Sequence, residues 1–138
     1  MFAILRHAGY HLGDGSLTDH GIQAAQQLAE ALARVSSSWR EVHASPTPRT
    51  QQTAHLIAEL LHLQVVTDER TSMDGNFVEL LPPTSPDHII FVSHLPVLTK
   101  LLRIWSRAFH IDEPPLTEVA SGYLIDPQTK TIQSVKSS

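Results

Sequence analysis

Two nearly unbroken apolar runs, Phe2 to Leu5 and His88 to Val92, stand out in the hydrophobic pattern, and each stops at a polar pair, Arg6-His7 and Ser93-His94. Runs of this length and β-branched character predict strands covered on both faces, central in a sheet. Elsewhere the spacing turns helical. Ile22, Ala25, Leu28, Ala29, Leu32 and Val35 predict the apolar face of a helix over Asp19–Val35, with Thr18 as its cap, Asp19 in its first turn and Arg34 in its last. Thr53, Ala54, Ile57, Leu60 and Leu61 predict a second helix, entered through the rigid Ser45-Pro46-Thr47-Pro48 turn and ending near Leu61. Leu95, Leu98, Leu101, Leu102 and Trp105 predict a third, with Pro96 in its first turn.

The weaker segments complete an alternating order. Gly9 to Leu17 contains three glycines and reads as a loop over the end of the first strand. Glu41 to Ser45 and Leu63 to Thr67 read as short strands. Asp68 to Pro86, broken by Gly75, Pro82, Pro83 and Pro86, reads as a loop with one helical turn. Val119 to Ile125 and Lys130 to Val135 flank Asp126-Pro127 and predict a closing hairpin. This pattern predicts the α/β class: one domain over residues 1–138, a three-layer α/β/α sandwich with a mainly parallel central sheet and a C-terminal antiparallel hairpin. Ligands bind such sheets at the carboxyl ends of the strands, where Arg6, His7 and His94 are expected to gather.

Composition narrows the chemistry. With no cysteine among 138 residues, neither a disulfide framework nor a thiolate zinc site is expected. A net charge of -4 gives no general attraction to nucleic acid or anionic lipid, so anions must be met by locally placed cations. No apolar run approaches the ~18 residues of a membrane span and no cationic leader opens the chain, so a cytoplasmic protein without membrane or nucleic-acid partners is expected. Nine histidines raise the question of a metal. His7 and His11 share a four-residue interval, yet Gly9 argues against the helix that would unite them, and His-Glu-x-x-His is absent; no metal is expected. His11, His20, His43, His55, His62, His88 and His110 read as surface or capping residues.

Arg49 falls in the first turn of the second helix and His94 at the start of the third. Helix N-termini favour anions, and the planar fork of arginine matches phosphate oxygens. Arg6, Arg49 and His94 therefore form a candidate cradle for a phosphoryl group, with His7 placed to attack it.

Leu5-Arg6-His7-Ala8, Leu17-Thr18-Asp19-His20-Gly21, the stretch from Ser45 to Ala54, and Val92-Ser93-His94 together resemble the ordered motifs of the histidine phosphatase superfamily, with its phosphoglycerate mutase-like fold. The short segment between Arg49 and His94 and the wording Ser93-His94-Leu95-Pro96 are most similar to the compact SixA-type phosphohistidine phosphatases. The resemblance implies that His7 is the nucleophile, that Arg6, Arg49 and His94 bind the transferring group, and that no metal or cofactor is needed. It also implies a phosphorylated protein, as phosphohistidine, or a small phosphate ester as partner. The alternatives are a small-molecule phosphomonoesterase and a catalytically silent phosphoprotein-binding regulatory module.

Two departures from the family pattern set expectations for the structure. Ala8 stands where glycine is usual; a position of positive φ would penalise its methyl group, and Gly9 is expected to supply the freedom instead. Larger relatives place a glutamate general acid after the Arg49 helix. Here Glu69, Asp74 and Glu79 are the candidates, none in a motif. A site without a dedicated acid favours phosphoramidates, whose imidazole leaving group takes a proton more readily than an alkoxide is formed.

Overall fold

Covering both faces of the two apolar runs requires helices on each side of one sheet. In the computed structural model, which describes residues 1–116 and 118–137, that is the arrangement. Strands β1 (Phe2–Arg6), β2 (Glu41–Ala44), β3 (Val65–Thr67), β4 (Ile89–Ser93), β5 (Ser121–Asp126) and β6 (Thr131–Lys136) form a six-stranded sheet in the order β3-β2-β4-β1-β5-β6. The first four of that order run parallel, whereas β5 is antiparallel to β1 and β6 to β5. Helices α1 (Asp19–Val35) and α2 (Pro48–Leu61) pack together on one face, over Ala3, Leu5, Val42 and Val92. Helix α3 (Leu95–Phe109) covers the other, where Leu98 and Trp105 meet Phe2, Ile4 and Phe91. The mainly parallel sheet with its C-terminal antiparallel hairpin matches the expected architecture.

Register brings the polar ends together. Leu5 pairs with Val92 and Arg6 with Ser93, so β1 and β4 finish side by side, and the backbone amide of His7 donates to Ser93 O at 3.2 Å. On the far side of β4, Ala44 pairs with Val92, which places Ser45 beyond the same edge. The helix starts are fixed by caps: Thr18 Oγ1 accepts from Gly21 N at 2.9 Å, and Thr47 Oγ1 from Thr50 N at 3.4 Å. Helices α2 and α3 end at His62 and His110, both left-handed with φ of 58°, so these two histidines do serve as caps.

Some expectations are corrected. Val35 and Leu60, assigned to buried faces, lie in the final turns of their helices and are 40 % and 37 % exposed. The 68–86 segment has two 3₁₀ turns, Glu69–Thr71 and Val78–Leu80, instead of one helical turn. Each is pinned from the core, since Ser93 Oγ donates to Thr71 O at 2.6 Å and Trp105 Nε1 to Leu80 O at 3.0 Å. The 9–17 loop is closed by a bridge between Tyr10 and Leu17, with Gly15 at φ 79° making its left-handed turn. The hairpin strands begin later than the apolar pattern suggests, because Ala120 and Lys130 adopt positive φ and belong to the turns. Among the described residues no helix is long and apolar enough to cross a membrane.

Candidate active site

His7 follows the last residue of β1 and is 4 % exposed. Its Nδ1 lies 2.9 Å from Ala8 O, and a carbonyl only accepts, so Nδ1 carries the proton and Nε2 the lone pair. Burial lowers the pKa of His7; the charges of Arg49 and Arg6 push the same way, against the Ala8 hydrogen bond. The ring is thus a neutral imidazole near pH 7 with one nitrogen available as a nucleophile.

His94, the residue before α3, is 3 % exposed, and its ring centroid lies 5.8 Å from that of His7. Arg49 Nη2 sits 3.3 Å from His94 Nδ1, and because a guanidinium only donates, Nδ1 is the acceptor. Nε2–H then donates to Ser45 Oγ at 2.8 Å. Burial and the nearby Arg49 charge, with His7, hold the His94 pKa down to about 4.

Arg49, in the first turn of α2, has its guanidinium 4.9 Å from the centre of the Tyr10 ring, and that ring meets His7 edge-on at 5.2 Å. The Arg49 Nε is buried and has no hydrogen-bond partner among the described residues. Thr53 Oγ1 ties the helix start to the strand end, donating to Arg49 O at 2.7 Å and accepting from Ala8 N at 3.0 Å. Arg6, the half-buried last residue of β1, completes the group. His7, His94 and Arg49 are brought together at the carboxyl edge of the sheet, with Arg6 close enough for its charge to act on His7. Sequence reasoning missed Tyr10, Thr53 and the Ser45–Thr50 hydroxyl pair; the Ser-Pro-Thr-Pro turn was the available signal for the last.

The expectation for Gly9 is overturned. Neither Ala8 nor Gly9 has positive φ, and the Ala8 methyl packs fully buried in the core beneath α1 and α2. The close approach falls on Gly21 instead, where an added Cβ would lie 2.1 Å from Gly9 O. The small residue required by the strand-end loop is therefore in the helix that follows.

Glu69, Asp74 and Glu79 all lie on the exposed side of the 68–80 segment. Glu69 accepts from Ser72 Oγ at 3.3 Å, and Glu79 is 3.6 Å from Arg70. The buried carboxylate of this segment is Asp68, which sequence reading did not single out. It accepts from Arg70 N, Nε and Nη2 and from His43 Nδ1, whose other nitrogen donates to Glu41 at 3.0 Å. Burial opposes charge on Asp68, yet the Arg70 and His43 hydrogen bonds hold it well below the usual carboxylate range. His43 is thus no surface histidine. Burial acts against its charge, but the Asp68 and Glu41 hydrogen bonds raise its pKa. Among the described residues no group of three or more His, Asp or Glu is placed to hold a metal ion.

The His43 shift has a definite sign. A folded-state pKa above the unfolded value contributes stability that is complete below pH ~6.5 and is lost as pH rises through the folded value. Thermal unfolding of wild type is expected to shift down by a few degrees from pH 6.5 to 8.5, and His43→Gln to flatten that slope. A slope unchanged in the variant would contradict the assignment.

The model of the histidine phosphatase superfamily (branch 1) matches residues 6–72. Among solved structures, the fold is similar to the protein histidine phosphatase SixA complexed with tungstate, at 17 % identity and a TM-score of 0.73, over 99 % of this chain and 96 % of that one. An Agrobacterium tumefaciens structure carrying the SixA phosphohistidine phosphatase designation matches at 17 % identity and a TM-score of 0.70, over 92 % and 91 % of the two chains. A mycobacterial glucosyl-3-phosphoglycerate phosphatase with inorganic phosphate matches at 14 % identity and 0.63, over 98 % and 94 %. No curated protein matches the chain in sequence. The family match supports the resemblance over the first three motifs, from Arg6 through the Ser45–Ala54 stretch, and the solved structures share the expected fold.

Proposed function

We propose that this chain is a histidine phosphatase that transfers a phosphoryl group to Nε2 of His7 and then to water. The observation that supports the reading is the state of His7: buried, neutral, its Nδ1 proton tied to Ala8 O, and its ring 5.8 Å from that of His94 and within reach of the Arg49 and Arg6 charges. In the first step the Nε2 lone pair attacks phosphorus and the bond to the leaving group breaks, the leaving atom keeping the electron pair and taking a proton from solvent. In the second, water attacks phosphorus, the P–Nε2 bond breaks back onto His7, and one proton departs to solvent. Splitting the transfer in two lowers each barrier, and the arginines stabilise the equatorial oxygens through both.

Within this reading the substrate is a protein phosphohistidine. Glu69, Asp74 and Glu79 are exposed, and Asp68, the buried carboxylate, is held ionised by Arg70 and His43 and so has no proton to give. An imidazole leaving group needs no dedicated acid, whereas an alkoxide does. Glu69→Gln, Asp74→Asn and Glu79→Gln are each expected to keep phosphohistidine hydrolysis within about twofold of wild type. The test compares phosphate release from a phosphohistidine protein and from an alkyl phosphate. Faster release from the alkyl ester, lost in one of these variants, would reassign the substrate to a small phosphate ester. The silent-module alternative rested on Ala8 and on the missing acid; Ala8 does not have positive φ, which removes the first ground, and a phosphohistidine substrate accounts for the second. A cytoplasmic setting, in keeping with a chain that has no cysteine, belongs to the same proposal.

A further inference from the structure

We infer that occupation of this site by a tetrahedral dianion is accompanied by uptake of one proton at Nδ1 of His94, and that Ser45 and Thr50 are positioning residues that reserve that nitrogen for it. The inference deepens the phosphatase reading and rests on it in one respect, that Arg49 and His94 face the bound oxyanion.

The hydrogen-bond directions carry the argument. Ser45 Oγ donates to Thr50 Oγ1 at 2.9 Å, and Thr50 Oγ1 donates in turn to Ser45 O at 2.7 Å. With its proton committed, Ser45 Oγ is an acceptor toward His94, which fixes the Nε2–H tautomer and leaves a lone pair on Nδ1. Arg49 Nη2 covers that lone pair at 3.3 Å. An arriving oxyanion offers only acceptors and draws the guanidinium to itself. Nδ1 would then face an oxygen lone pair to lone pair, a buried repulsion that a proton converts into a charge-assisted hydrogen bond.

The surroundings explain why the proton is absent beforehand. His94 faces Arg49 from α2 and His7 just past β1, the Arg6 charge lies beyond His7, and His94 is the residue that precedes the positive end of α3. Among the described residues no carboxylate hydrogen-bonds to it. All of these disfavour imidazolium until negative charge enters, in keeping with the lowered pKa of His94. Binding and protonation are linked reciprocally, so the affinity for a dianion should weaken about tenfold per pH unit between the free and bound pKa values of His94.

Isothermal titration with tungstate, a tetrahedral dianion with no proton of its own near neutrality, tests this at pH 7.5 in buffers of differing ionisation heat. The dependence of binding enthalpy on buffer heat should report uptake of about one proton in wild type and in His7→Asn, and none in His94→Asn. Ser45→Ala, which frees the ring to place its N–H on Nδ1, should bring uptake well below one, an effect that loss of packing alone would not produce. If His94→Asn binds too weakly to titrate, the ¹⁵N shift of His94 Nδ1 in tungstate-saturated wild type should move to the imidazolium position. Binding without uptake would overturn the inference, meaning that Ser45 turns its hydroxyl toward Nε2, and would leave the phosphatase reading standing. Uptake lost in His7→Asn would overturn it by assigning the proton to His7. Failure of tungstate to bind at any pH would overturn both.

Discussion

His7→Ala is expected to lower phosphate release at least about 10³-fold while leaving the protein folded, with a melting temperature within a few degrees of wild type. The two halves of this expectation have separate causes. Activity falls because no other group in the pocket presents an uncommitted neutral lone pair: His94 Nδ1 is covered by Arg49 and its Nε2 is bound to Ser45. Stability changes little because among the described residues His7 makes one side-chain hydrogen bond, to the carbonyl of the next residue, and sits against the Arg49 and Arg6 charges that oppose its own protonation. The variant should still bind tungstate, since the cradle is intact. Loss of both activity and oxyanion binding would point to a collapsed pocket instead of a missing nucleophile.

Arg49→Lys is expected to lower kcat/KM about 10²-fold, against the usual view of this exchange as conservative. Lysine keeps the charge but loses three things seen here: the planar fork toward phosphoryl oxygens, the flat face over Tyr10 at 4.9 Å, and the reach of Nη2 to His94 Nδ1. Because the fork matters most as charge spreads over the transferring oxygens, kcat should fall along with tighter binding being lost. Steady-state kinetics on the variant decide the matter; a kcat/KM within threefold of wild type would mean that a point charge suffices and that the forked geometry is incidental.

Both expectations rest on residues that the sequence made visible, and it is instructive which ones those were. The runs at Phe2 and Ile89 announce buried strands because continuous apolar character has few other uses in a short segment, and their abrupt polar ends mark the edge where the chemistry sits. Arg49 is legible because Pro48 fits only the first turn of a helix, which ties its neighbour to a helix N-terminus. The boundaries of α1 emerge from Thr18 and from the spacing through Val35, all of it local information.

What stayed hidden depends on partners distant in the chain. Asp68 looks like any loop carboxylate until Ala44 pairs with Thr67 and brings His43 beside it, 25 positions away. Thr53 reads as a core-facing helical residue, yet its hydroxyl spans Arg49 O and Ala8 N across a separation of 45 residues in the second case. Tyr10, in a glycine-rich loop, gives no sign that its ring will meet both His7 and Arg49. The expectation about Ala8 and Gly9 failed for the same reason: the crowding that demands a small residue comes from Gly9 O meeting Gly21, a contact made by the packing of α1 against the strand end. Periodicity and caps reach one turn or one pleat, whereas the pocket is assembled by sheet register.

The central claim is a covalent one, that the phosphoryl group passes through Nε2 of His7, and it can be read directly. Rapid mixing with a ³²P-labelled phosphohistidine protein, quenched in alkali within the first turnover, should trap label on this chain as an acid-labile, alkali-stable phosphohistidine that maps to the peptide containing His7 and is absent from His7→Ala. Full turnover with no label trapped, or label mapped to His94, would contradict it.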